Sequence, residues 1–98
     1  MSEAGEHPRD WTVRHNRGNL RFEAGTTRNP AHIDYLLAGN ILELYHTEVP
    51  VEYRSQGVAE KLTRAALAWA RESGYRVLPS CSYVHAFVNR HKEFQDLL

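Results

Sequence analysis

The chain carries a single cysteine, Cys81, among its 98 residues, so it can form no internal disulfide and no zinc site built on several thiolates. Histidines stand at positions 7, 15, 32, 46, 85 and 91, yet no two fall in an H-E-x-x-H spacing, and no metal is expected. Charge of one sign is missing too. Twelve basic residues balance twelve acidic ones, so no overall field would draw the chain to nucleic acid or to an anionic membrane. Arg9, Arg14, Arg17, Arg21 and Arg28 are interspersed with acids and read as decoration of solvated strands. No apolar run approaches the roughly 20 residues that cross a bilayer. The start, Met1-Ser2-Glu3-Ala4-Gly5-Glu6, shows no basic residue leading into an apolar stretch, so a cytoplasmic location is expected.

What is present fits one soluble domain, with 42% hydrophobic and 24% charged residues. Residues 1–9 read as a flexible polar lead and residues 10–98 as the domain. Trp11 to His15 and Leu20 to Ala24 alternate in period two around the turn Asn16-Arg17-Gly18-Asn19, which predicts a hairpin. A second hairpin is expected from His32 to Ala38 and Ile41 to Val49 across Gly39-Asn40. Alternation along the fourth strand places Leu42, Leu44, His46 and Glu48 on one face. Pro50 ends that strand, having no N–H to donate. Val58, Leu62, Ala65, Ala66 and Trp69 then form an apolar stripe at helical spacing, stopped by Gly74. Tyr75 to Leu78 predicts a fifth strand, parallel to the fourth because it follows a crossover helix. Tyr83, Phe87, Phe94 and Leu97 predict one or two short closing helices. The fold class is therefore α+β: a mixed, mostly antiparallel five-stranded sheet with one long crossover helix.

Between the fourth strand and the long helix lies Arg54-Ser55-Gln56-Gly57-Val58-Ala59. A strand that delivers a small-residue loop onto a helix N-terminus aims unpaired N–H groups at one spot, and the helix dipole adds partial positive charge there. Gly57, lacking Cβ, admits an anion close to the backbone. The spacing is neither G-x-G-x-x-G nor G-x-x-x-x-G-K-[ST]. It resembles the [Q/R]-x-x-G-x-[G/A] motif with which the GNAT superfamily of acetyltransferases holds the pyrophosphate of acetyl-coenzyme A.

A closer resemblance is to the very small, single-domain GNAT-like N-acetyltransferases. It rests on His46-Thr47-Glu48-Val49-Pro50, on the Arg54 to Ala59 loop, on Gly74 with Pro79 and Cys81, and on His91-Lys92-Glu93-Phe94. Ser55 and Lys92 depart from that pattern, standing where glycine and proline are usual. The helices that larger members insert between their first two strands are replaced here by a four-residue turn, which leaves the acceptor side open.

The resemblance implies acetyl-coenzyme A as co-substrate and an unidentified amine acceptor, either a small molecule or a protein lysine. On this reading the pyrophosphate meets the loop Arg54, Ser55, Gln56, Gly57, Val58 and Ala59. Pantetheine pairs with the edge of the fourth strand at Val49 and Val51, and Tyr83 lines the pocket. Cys81 falls beside the thioester at a helix N-terminus, which favours a reactive thiolate, with His85 one turn on as its base. His46 is the candidate base for the acceptor amine. The alternative is a non-catalytic acyl-coenzyme A binding or protein-interaction module.

Overall fold

Five strands, β1 (Val13–Asn16), β2 (Arg21–Ala24), β3 (Ala31–Ala38), β4 (Ile41–Glu48) and β5 (Arg76–Pro79), lie side by side in chain order in a computed structural model that describes residues 11–98. The expected polar lead at residues 1–9 falls outside the described residues. β1 to β4 pair antiparallel and β5 runs parallel to β4. The second hairpin turns at Gly39-Asn40 as expected, with Ala38 opposite Ile41 and Gly39 at φ 62°. The first is shorter than expected. Trp11 and Leu20 hold left-handed backbone, φ 48° and 55°, which a strand cannot contain.

Helix α1 (Val58–Ser73) crosses one face of the sheet. It buries Val58, Leu62, Thr63, Ala66, Leu67 and Ala70 in a core shared with Phe22, Ile33, Tyr35, Leu42 and Leu44. The stripe is rotated slightly from the one expected, so that Ala65 and Trp69 sit at its border. Thr63 enters the core because its hydroxyl donates to the Ala59 carbonyl at 2.8 Å. Each buried aliphatic side chain contributes about 1.5–3 kcal/mol, well above any single helix propensity, so packing rather than propensity holds α1. Gly74, at φ 79°, ends the helix with its N–H turned back to Ala70 and Arg71. Helix α2 (Ser82–Arg90) and a 3-10 helix (Lys92–Leu97) close the chain. His91 stacks on Phe87 at 4.0 Å and shares a hydrogen bond with its carbonyl, fixing the turn between them. Arg71 on α1 holds the last segment through two hydrogen bonds to the Asp96 carboxylate, 2.7 and 3.0 Å.

One irregularity decides the chemistry of the sheet. Tyr35 stands opposite Leu44, but Asp34 stands opposite His46, so Tyr45 is an extra residue in β4, a β-bulge. Before the bulge Leu42 and Leu44 point into the core. After it the phase inverts: Thr47, opposite buried Ile33, faces the helix side, whereas His46 and Glu48, opposite Asp34 and His32, face outward. The expected common face of Leu42, Leu44, His46 and Glu48 therefore holds only for the two leucines.

At the far end of the core His15 stacks on Phe22 at 4.1 Å and meets Trp69 edge-on at 4.5 Å. Its Nε2 shares a hydrogen bond of 2.7 Å with the Tyr35 hydroxyl. Burial lowers the His15 pKa from 6.5, and the positive charge of Arg17 adds to the shift. Burial pushes the Tyr35 phenol up. The folded state therefore binds fewer protons at His15 than the unfolded chain. Its contribution is fully present above pH 6.5 and is lost as pH falls below it. Urea midpoints measured at pH 7.5 and 5.0 are expected to fall more for the parent protein than for His15→Gln. Equal falls would remove His15 as the source.

Candidate functional site

β5 pairs with β4 only from Ile41 to Leu44, after which the Cys81 amide donates to Leu44 O at 3.0 Å and the chain turns into α2. The second half of β4, Tyr45–Glu48, is left paired to β3 alone among the described strands. A cleft of about 560 Å³ opens there. Its walls are Thr47, Glu48 and Val49 from β4 and its exit, the loop and first turn of α1, and Tyr83 from α2.

The loop has the geometry of an anion cradle. Ser55 and Gly57 both hold left-handed backbone, φ 66° and 80°, and Gly57 is the N-cap of α1 with no side chain capping it. The first helical bond runs from the Lys61 amide to Gly57 O, so the amides of Val58, Ala59 and Glu60 precede the helical ladder. A Cβ on Gly57 would meet nothing within 4 Å, which means that the space above it is open for a ligand. Ser55 explains why glycine suits its position: a residue with Cβ in this conformation costs about 1–2 kcal/mol. Dipole, bare amides and open approach together suit a pyrophosphate. Acyl-coenzyme A thus fits the residues present.

Of the residues singled out from sequence, Val49, Arg54, Ser55, Gly57, Val58, Ala59 and Tyr83 line the cleft. Arg54 also donates through Nε to Val49 O at 3.2 Å, tying the loop to the strand end. Gln56 turns away and donates to Glu52 O. Val51 does not extend the strand edge as expected. Pro50 ends β4, and Val51 opens a 3-10 turn (Val51–Tyr53), its carbonyl accepting from Arg54 and its side chain 72% exposed.

Cys81 is the N-cap of α2, half-buried, with Sγ 3.4 Å from Thr47 Oγ1. Thr47 forms the cleft wall at this point and Cys81 lies one side chain behind it. His85 is not brought to the thiol. Cys81 has extended backbone outside the helix, so the one-turn spacing is lost; only the His85 amide reaches Cys81 O, and the exposed ring lies 3.5 Å from Asn89. His46 is on the outer face, its Nε2 3.3 Å from Glu48 Oε1. Burial pushes the Tyr83 phenol up, and the Glu60 carboxylate adds to the shift, so Tyr83 keeps its proton at neutral pH and can donate it. Thr47, Glu48, Tyr53 and Glu60 complete the lining, and of these Thr47, Tyr53 and Glu60 were not read from sequence. Tyr53 is buried against Trp11, ring centroids 4.8 Å apart, and its hydroxyl donates to Thr26 Oγ1.

A splayed parallel strand pair, an amide cradle on the crossover helix and a short helix closing the opposite wall define an acyltransferase fold of the GNAT type, and the chain belongs to the GCN5-related N-acetyl-transferase family, whose model matches residues 21–97. It is similar to the mouse protein NATD1, 37% identical over 82 residues that make up 81% of this chain and 74% of that protein. The bovine NATD1 is 33% identical over 85% of this chain, which spans 66% of the bovine protein's length, just under two thirds. In three dimensions it is similar to the NMR solution structure of a GCN5-like protein from Staphylococcus aureus, with TM-score 0.72 and 27% identity, covering 90% of this chain and 87% of that one.

Proposed function

We propose that the protein is an acetyl-coenzyme A-dependent N-acetyltransferase acting on an amine acceptor. The observation that carries this reading is the cleft between β4 and β5 with the bare amides of Val58, Ala59 and Glu60 at one end and the Thr47–Cys81 pair at the other. In this reading the loop amides and Arg54 hold the pyrophosphate. Charge-assisted hydrogen bonds contribute about 1.5–3 kcal/mol each, so three or four sustain micromolar binding after the cost of association. Unpaired backbone of β4 receives the pantetheine amides, and the acyl carbon comes to rest near Thr47.

Two routes lead from there. In the first, the Cys81 thiol loses its proton to solvent, the thiolate attacks the acetyl carbonyl, the bond to the coenzyme A sulfur breaks, and that sulfur is protonated by Tyr83, which regains a proton from solvent; the amine then attacks the new thioester, the bond to Cys81 Sγ breaks, and the amine's proton returns to that sulfur. In the second the amine attacks directly. Incubation with acetyl-coenzyme A and a lysine-containing peptide is the test, read by calorimetry and by mass spectrometry under mildly acidic conditions that preserve thioesters. One donor site per chain, an acetylated peptide and one acetyl group at Cys81 are expected. Cys81→Ala is expected to lower turnover about tenfold while changing donor binding by no more than about 1 kcal/mol, because the phosphate contacts dominate affinity. Full activity in Cys81→Ala with no adduct in the parent would leave Cys81 as a wall and select direct attack. Donor binding without transfer to any amine would reduce the protein to a non-catalytic acyl-coenzyme A module.

A further inference from the structure

The outer face of the sheet carries an unbroken file of ionic contacts that ends at the cleft. Arg14 on β1 lies 4.0 Å from Glu23 on β2, and Glu23 lies 3.6 Å from Arg21. Arg21 Nε donates to Asp34 on β3 at 3.1 Å, and the same Asp34 oxygen lies 3.0 Å from His32 Nδ1. His32 Nε2 then faces Glu48 Oε1 on β4 at 3.8 Å, and that oxygen also meets His46 Nε2 at 3.3 Å. Glu48 is the member that lines the cleft.

Charge along the file is uneven. Glu23 and Asp34 each face an arginine, whereas Glu48, among the described residues, forms ionic contacts only with the two imidazoles. Two guanidiniums thus stand against three carboxylates, and with both rings neutral one negative charge is left over at the cleft end. Burial is uneven as well: the His32 and Asp34 side chains are each 13% exposed, while His46 is 51% exposed. Asp34 accepts the Nδ1 proton of His32, which leaves Nε2 bare on the side of Glu48.

We propose that His32, held in this tautomer by Asp34, is a relay that takes the acceptor's proton from Glu48. The inference rests on the acetyltransferase reading and adds to it the side from which the acceptor enters, the outer face of the sheet, and the route by which its proton leaves. The balance is simple. An ammonium gives one proton to Glu48, whose Oε1 closes the 3.8 Å to His32 Nε2 to pass it on; His32 returns it through the same oxygen to His46 Nε2, 3.3 Å away, and the exposed His46 releases it to solvent. The free amine attacks the acyl carbon, the carbon–sulfur bond breaks, and the second nitrogen proton ends on the coenzyme A sulfur. One proton is released per turnover by either route. The groups that face His32 are Asp34 on its own strand, Glu23 opposite it on β2, and Glu48 and His46 on β4; Glu23 is engaged by Arg14 and Arg21.

Nitrogen NMR of the full chain is expected to show His32 carrying its proton on Nδ1, and Asp34→Asn is expected to abolish that preference. With acetyl-coenzyme A and a lysine-containing peptide, His32→Ala is expected to lower kcat about tenfold or more, with KM for acetyl-coenzyme A within about twofold, and added imidazole is expected to restore the rate. Asp34→Asn, which preserves volume, should lower kcat in the same direction should the alanine variant fail to fold. A His32 proton on Nε2 overturns the relay whatever the kinetics. Transfer that persists undiminished in His32→Ala or Asp34→Asn overturns the relay and leaves the transferase reading intact. A parent protein that binds acetyl-coenzyme A but acetylates neither the peptide nor a polyamine overturns the transferase reading and the relay with it.

Discussion

Replacing Gly57 with valine is expected to weaken acetyl-coenzyme A binding by at least about a hundredfold, the loss of roughly two charged amide contacts at about 1.5 kcal/mol each. Two effects act together. The open space that a Cβ would fill above Gly57 is the space a phosphate needs, and the φ of 80° disfavours a β-branched side chain, so the loop shifts as well. Helix α1 is held by its buried stripe rather than by its N-cap, so circular dichroism should show it retained. Calorimetry returning the parent affinity would place the donor elsewhere in the molecule. The same substitution leaves the outer-face file untouched, which separates a binding defect from a proton-transfer defect.

The largest stability effect is expected at a glycine distant from the loop in sequence. Gly25 holds φ 96°, and a Cβ there would stand 2.8 Å from Tyr53 Cε2 and 3.2 Å from Trp11 Cζ3. Both rings are buried and packed edge to face, so neither can retreat without opening the core. Gly25→Ala should cost about 3 kcal/mol, a fall in Tm of roughly 15 °C for a domain of this size. Because Tyr53 also lines the cleft, donor affinity should fall too. Adding Tyr53→Ala to that variant should cost much less than the same change in the parent, since the clash disappears with the ring. A Tm within about 3 °C of the parent would show that the turn around Gly25 yields more easily than its packing implies.

Local chemistry made most of the fold legible. Gly39-Asn40 marks the second hairpin because the turn needs a left-handed residue, and Gly74 marks the end of α1 for the same reason. Pro50 marks the exit of β4 because it cannot donate to a ladder. The loop that opens α1 was legible because the residues that build it are six in a row, with Gly57 at its left-handed N-cap. What was hidden depends on partners distant in sequence. Leu42 to Val49 alternates smoothly, and nothing in it reveals that β3 offers one residue fewer than β4 over the same span. Counting back from the turn without a bulge would set Asp34 opposite Tyr45 and His32 opposite Thr47. That count conceals the His32–Glu48 contact. A signal existed in the pair His32-x-Asp34 and His46-x-Glu48, two histidine–carboxylate repeats at strand spacing on the two arms of one hairpin. His85 failed for a related reason: its spacing from Cys81 matters only if both lie within one helix, and the helix begins one residue too late.

The bulge at Tyr45 also sets what kinds of genetic change this domain can absorb. Because it shifts the phase of the strand, His46 and Thr47 are neighbours in the chain yet lie on opposite sides of the sheet, one among the outer carboxylates and the other against Cys81. Substitutions at one can drift without disturbing the other, so the two faces of the sheet are free to diversify separately. The separation lasts only while the extra residue stays where it is. Sliding the end of β4 by one position against β3, with its length unchanged, would close the bulge, set His46 opposite Ile33 and Thr47 opposite His32, and so turn an imidazole toward the helix and expel the threonine in a single step.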